Sequence, residues 1–205
     1  MKKIIISLVA VASMFAACDD NLDRSIWISD PNDYHLPKYT EWGYNTFGAK
    51  MDGDYFVSCW RENPCTLEWH DEDSTLEFTM NGCLAGTDYI WDGYITRKEY
   101  MSLTIVFPCD SAISNCQKLW LLHEKTFDLT NPAVKIYVTG DYPELITDIR
   151  SGELCFKRVQ NLYVDNKFEE AIVSGTFDIR YVKDGEKTRM SDGRFDIGIN
   201  QSFFW

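Results

Sequence analysis

From about residue 39 onward, apolar and polar positions alternate with a period of two, and turn-forming residues recur roughly every 8–12 positions. The segment 49–51, the pair Asp52-Gly53 and the segment 55–57 read as a hairpin, because Asp-Gly readily takes the positive φ angles of a type I′ turn. Strands are expected over 66–70 and 75–80, then 101–107, 118–123, 133–138 and 153–163. Asp165-Asn166 turns the chain into a strand over 171–182, and Lys183-Asp184-Gly185 turns it into 187–190 and 194–199. Gly175, Phe177, Ile179 and Tyr181 share one face of their strand and Thr176, Asp178 and Arg180 the other. No long stripe of helical period is present; 142–149, with Pro143 near its start, is the one segment that fits a short helix. The pattern predicts an all-β domain: an antiparallel β-sandwich or partly open β-barrel of about 8–10 strands.

Before this domain the pattern changes twice. Lys2 and Lys3 precede Ile4-Ile5-Ile6-Ser7-Leu8-Val9-Ala10-Val11-Ala12-Ser13-Met14-Phe15-Ala16-Ala17, a run without charge. It has the length of a signal-peptide core and falls short of the ~20 residues that a spanning helix needs. Ala16 and Ala17 stand before Cys18 and resemble the lipobox of bacterial lipoproteins, although Phe15 stands where Leu is usual. Residues 1–17 are therefore expected to be a signal peptide and Cys18 the lipidated N-terminus of the mature chain. Residues 18–38, with Asp19, Asp20, Asp23, Asp30, Pro31, Asp33 and Pro37, read as an acidic tether, on which Trp27 and Ile28 are apolar enough to dock. The acids directly behind Cys18 resemble the surface-sorting signal of Bacteroidetes lipoproteins; a solvated linker fits them equally. The third segment, 39–205, is the single β domain.

Charge and cysteine count narrow the setting. The chain carries 32 acids against 20 Lys and Arg, a net charge of −12, which opposes nucleic acid as a partner. Of seven cysteines, lipidation of Cys18 leaves six for an oxidising compartment. Cys59 with Cys65 and Cys109 with Cys116 flank short loops, which leaves Cys83 with Cys155 by elimination; fifteen pairings exist in principle, as for any six cysteines (about 15). The spacings do not suit zinc.

At both ends of the domain the wording resembles a family. Thr40, Gly43, Asn45, Thr46, Phe47 and Gly48, followed by Asp52-Gly53, look like a Thr-x-x-Gly-x-Asn-Thr-Phe-Gly segment of uncharacterised Bacteroidetes lipoproteins. Val173-Ser174-Gly175-Thr176-Phe177-Asp178 and Ser191-Asp192-Gly193-Arg194-Phe195-Asp196 look like their ending. The resemblance implies a β-rich lipoprotein facing the surface or periplasm and implies no activity. Asn45, Gly48 and Gly175 suit tight turns, bulges or close backbone approach, and Asp192-Gly193 suits a further turn.

Catalytic signatures are lacking. His35, His70 and His123 stand in no metal motif, and no nucleophile elbow or phosphate loop is present. His70-Asp71-Glu72-Asp73 reads as a solvated turn. No metal or cofactor is expected. Aromatic residues are the suggestive feature: seven Trp and eleven Tyr. Trp60, Trp91 and Tyr94 fall in expected loops, where aromatic faces stack on sugars or anchor a protein partner. Phe195, Ile197, Ile199, Phe203 and Trp205 alternate to the C-terminus like the closing strand of an outer-membrane barrel. Charges in most strands oppose that reading and favour a final core or edge strand. The sequence therefore points to a lipid-anchored outer-membrane module, non-enzymatic, binding a glycan or a partner protein. A polysaccharide or peptide hydrolase and a structural envelope protein are the alternatives.

Overall fold

The computed structural model describes residues 25–59, 63–91, 94–96, 99–139 and 143–204. The signal segment, Cys18, Trp60 and Trp205 lie outside the described residues, as do the side chains of Trp91 and Tyr94. The strands are β1 (Ser29–Asp30), β2 (Asp33–Pro37), β3 (Thr46–Met51), β4 (Asp54–Val57), β5 (Cys65–His70), β6 (Thr75–Ala85), β7 (Ile90–Trp91) and β8 (Tyr94–Ile95). They continue as β9 (Glu99–Pro108), β10 (Lys125–Asp128), β11 (Lys135–Thr139), β12 (Pro143–Ile146), β13 (Asp148–Val164), β14 (Lys167–Lys183) and β15 (Glu186–Ile199).

An antiparallel sheet of 11 strands runs β10-β13-β14-β15-β3-β4-β6-β9-β11-β12, with β5 also on β6. It curls into a half-barrel, so of the two expected architectures the partly open barrel is the one adopted. Three of its hairpins turn on two residues with positive φ: Asp52 (49°) and Gly53 (103°), Asp165 (49°) and Asn166 (63°), Asp184 (52°) and Gly185 (83°). That is the geometry whose twist matches the strands it joins.

The concave side holds the core. Phe78 on β6 lies 6.2 Å from Phe156 on β13, although four strands separate them in the sheet. Phe195 on β15 meets both, at 5.1 and 5.6 Å, and Phe107 on β9 packs 4.3 Å from Phe127 on β10. Only a curled sheet brings these rings together. Lys183 on β14 pairs with Glu144 on β12 at 2.7 Å, drawing the last edge strand toward the other half. The C-terminal Phe203 and Phe204 pack on the same core, and Phe204 bridges to Leu67. β15 lies between β14 and β3, a central core strand.

Several expectations need correction. Pro143–Ile146 is strand β12, not part of a helix over 142–149; Pro143 opens an edge strand, where its missing N–H costs nothing. Residues 118–123 are mostly a 3-10 helix, Cys116–Leu122, which buries Cys116, Leu119 and Leu122 at the three-residue spacing of that helix. Asp192-Gly193 is a bulge within continuous β15, where pairing with β3 shifts between Ser191 and Arg194. The main sheet alone exceeds the expected strand count, because short strands such as β10 and β12 carry too few residues to alternate visibly.

The disulfide joins Cys59 to Cys83, with Cα atoms 5.9 Å apart, instead of the expected partners. Register explains it. Val57 on β4 faces Cys83, so Cys59 follows along the same edge, whereas Cys65 faces Met80. Positions 80 and 83 point to opposite faces, so Cys65 enters the concave core and cannot reach Cys59. Cys83 and Cys155 both face the convex side, on β6 and β13 with four strands between them, so they point outward from opposite arms of the curl and cannot be bridged. Cys65, Cys109, Cys116 and Cys155 are thiols. Burial pushes the Cys109 thiol up to about 11.

The segment 26–38, expected to be tether, belongs to the domain. β1 and β2 form a hairpin on the convex side, where Leu36 joins Tyr55, Val57, Ala85 and Ile90 in a second core with Trp27 packed against it. Polar contacts clamp this hairpin. Arg194 pairs with Asp30, and Lys50 bridges Asp33 (2.9 Å) and Asp192 (3.0 Å). Tyr55 donates to Asp33 at 3.2 Å, and the His35 ring lies 3.1 Å from the same carboxylate. The hairpin covers the β3–β4–β6 half of the convex face, leaving the β13–β14–β15 half open.

Candidate functional site

The segment between β2 and β3 crosses this open half, and a buried carboxylate holds it there. Asp196, only 1% exposed, points to the convex side because its neighbours Phe195 and Ile197 fill the core. Its Oδ1 accepts from the amide of Gly43 (2.8 Å) and the hydroxyl of Ser174 (2.9 Å). Its Oδ2 accepts from the amides of Trp42 (3.1 Å) and Tyr44 (3.3 Å) and from the Thr40 hydroxyl. Positive φ at Gly43 (74°) and Asn45 (55°) turns successive amides toward one acceptor, a backbone anion nest. Asn45 Oδ1 then accepts from the Gly198 amide at 2.8 Å. The Thr-x-x-Gly-x-Asn segment and the Phe195-Asp196 segment, read as separate motifs, are the two halves of this cradle.

The cradle presents aromatic rings on a fixed backbone. Trp42 is 71% exposed while its amide is tied to Asp196. Tyr39 is half-buried and donates its hydroxyl to Glu41 at 3.0 Å, with the Lys157 ammonium 5.3 Å from its ring centre. Burial, and then the Glu41 carboxylate, raises the Tyr39 phenol well above its usual value, so it remains a neutral donor. Arg158 donates to Glu41 (3.3 Å) and, through two nitrogens, to Gln160 (3.1 and 2.8 Å).

Two clefts share Tyr39. One, about 320 Å³, lies among Tyr39, Glu41, Trp42, Arg158 and Gln160. The other, about 380 Å³, continues over the strands between Lys157, Cys155, Thr176, Asp178 and Arg194. Together they form a shallow groove with one exposed indole, one phenol and a set of amide, carboxylate and guanidinium groups. That combination suits a ligand with apolar ring faces and many hydroxyls. Glu153 and Asp178 stand directly opposite each other on β13 and β14 in its floor. The described residues contain no cluster of three or more His, Cys, Asp or Glu arranged to hold a metal.

Of the expected site residues, Cys18 and Trp60 lie outside the described residues, and the structure gives Trp91 and Tyr94 only as backbone of the β7–β8 pair. Cys155 alone among the named candidates lines the groove; its Sγ accepts from Thr126 Oγ1 at 3.4 Å. Sequence reasoning missed Tyr39, Trp42, Lys157 and Arg158. No family model, curated protein or solved structure matches this chain.

Proposed function

We propose that this protein is a lipid-anchored outer-membrane module that binds polysaccharide in the groove over β13–β15. The observation that carries the reading is Trp42, an exposed indole on a loop whose amides are already fixed by Asp196. A loop whose backbone is already fixed loses little backbone freedom on binding, so more of the stacking energy appears as affinity. Tyr39 offers a second apolar surface, and Arg158, Gln160 and Glu41 offer hydrogen bonds to ring hydroxyls. The anchor is the lipid on Cys18. No described helix is long and apolar enough to cross a membrane. The chain from Cys18 to Ser25 spans at most about 25 Å, which would keep the groove close to the membrane surface.

Screening the purified protein on a glycan array tests the binding reading. Binding to at least one glycan, lost in Trp42→Ala, supports it; no binding to any glycan overturns it. Mass spectrometry of the mature N-terminus tests the anchor, and an unmodified Cys18 would refute that part.

The Glu153–Asp178 pair favours one second reading, hydrolysis of the bound chain. In that case, release of reducing ends from the bound glycan would disappear in Glu153→Gln and Asp178→Asn.

A further inference from the structure

Beyond the aromatic groove, a cleft of about 520 Å³ opens at the turn end of the same three strands. Arg150, Arg180, Lys187 and Arg189 line it, with the Val182 side chain as an apolar floor. Arg180 stands directly opposite Arg189 in the β14–β15 ladder, and Lys187 stands opposite Val182, on the same face. Arg150 has a carboxylate partner, Asp148 at 2.6 Å. Among the described residues no ion pair reaches Arg180, Lys187 or Arg189. Like charges directly opposed on neighbouring strands destabilise a sheet. Three unneutralised cations in one concavity are conspicuous in a chain of net charge −12.

We infer that this cleft binds the closely spaced carboxylate or sulfate groups of an acidic polysaccharide, with one oxyanion held between Arg180 and Arg189. Guanidinium groups suit the task because their fixed fork of N–H donors matches two oxygens of one anion. The cleft continues the groove: Arg180 follows Asp178 on the same face of β14, and Thr176 to Val182 spans about 20 Å of strand. A chain stacked on Trp42 and Tyr39 and running along β14 would bring its charges into the arginines. An anionic membrane fits less well. Asp178, Asp184 and Glu186 are exposed around the cleft, and a flat anionic surface would meet them together with the cations. A single polymer chain passes between them. This assignment rests on the polysaccharide reading, and its test separates the two.

The full-length protein in detergent is titrated with polygalacturonate, dextran sulfate and neutral dextran, and the protein anchored in phosphatidylcholine vesicles is tested for tethering of phosphatidylglycerol vesicles. Wild type, R180Q/R189Q and W42A are compared. Both double-variant positions are exposed, so circular dichroism should show an unchanged fold. The inference predicts that an acidic polymer binds more tightly than dextran and that R180Q/R189Q weakens this at least about tenfold, equivalent to 1.4 kcal/mol. Raising the salt concentration should weaken it further. Equal binding of acidic polymers by wild type and R180Q/R189Q, or tethering of phosphatidylglycerol vesicles in place of polymer binding, overturns the inference. If it fails while W42A still abolishes binding of an array-identified glycan, the polysaccharide reading stands alone. If no glycan binds at all, both fall.

Discussion

Replacing Asp196 with Asn changes one atom of the cradle and converts an acceptor into a donor. The carboxylate accepts from three backbone amides and two hydroxyls. Asparagine keeps one oxygen. Its best placement puts that oxygen at the Oδ2 position, retaining Thr40, Trp42 and Tyr44. The side-chain NH₂ then faces Ser174, whose hydroxyl can turn to accept, and Gly43, whose amide cannot. One backbone donor is orphaned at about 1–3 kcal/mol, and the remaining bonds lose the charge that roughly doubles their strength. The expected loss of stability is about 2–4 kcal/mol. Urea denaturation would read it as a lower midpoint with an unchanged slope, because the surface exposed on unfolding is the same. Hydrogen exchange should show the Gly43 amide losing protection in the folded state. Asp196→Ala should cost more, since Ser174 is fully buried and loses its partner as well. A stability change below about 0.5 kcal/mol in Asp196→Asn, with Gly43 still protected, would refute the cradle.

Other outcomes follow from the same contacts. Cys59→Ser removes a bridge over a sequence separation of 24 and should cost roughly 3 kcal/mol in the chain-entropy model, read by denaturation with and without reductant. Gly175→Ala should destabilise by at least about 1–3 kcal/mol, because its Cβ would sit 2.1 Å from the Cys155 carbonyl oxygen and 2.5 Å from the Phe195 ring. Acid should loosen the β1–β2 hairpin first. The Asn32 amide chiefly lowers the Asp30 pKa; burial pushes Asp33 up, but Lys50 and His35 together bring it below its usual value. Groups held below their unfolded value of about 3.9 contribute fully above that pH and lose the contribution as pH falls through the lower folded value. Trp27 fluorescence should therefore change below about pH 4, ahead of global unfolding, and a single transition shared with far-ultraviolet dichroism would contradict this.

The fold class was legible because a half-barrel with one buried face imposes a strict two-residue alternation, clearest in Gly175, Phe177, Ile179 and Tyr181. The three tight hairpin turns were legible for a local reason, since Asp, Asn and Gly at their centres tolerate positive φ. What depended on register was not. Cys59 and Cys65 are close in sequence, but one faces the convex side and the other the core. Leu119 and Leu122 with Cys116 gave a three-residue period that a strand reading cannot use. Leu145, Ile146 and Ile149 mimicked a helical stripe, although they divide between two strands. The groove was the least legible part, because loop 38–44 meets β15 through Asp196 and β13 through Lys157 and Arg158, at sequence separations such as 153 and 117. A signal did exist: Asp196 is an acid between two core aromatic and aliphatic residues, in an ending that resembled the same family as Thr40 to Gly48. Read together, they imply contact.

We propose that the open face of β13–β15 takes a polysaccharide through Trp42 and Tyr39. Hydrogen-exchange footprinting of the full-length protein, with and without a glycan selected on the array, tests it most directly. New protection should be confined to 38–44 and to the groove-facing stretches of β13–β15 (150–160, 176–182 and 187–194), and it should be absent in Trp42→Ala. Protection elsewhere, such as around the exposed Trp120 and Tyr163, or a footprint unchanged by Trp42→Ala, would contradict it.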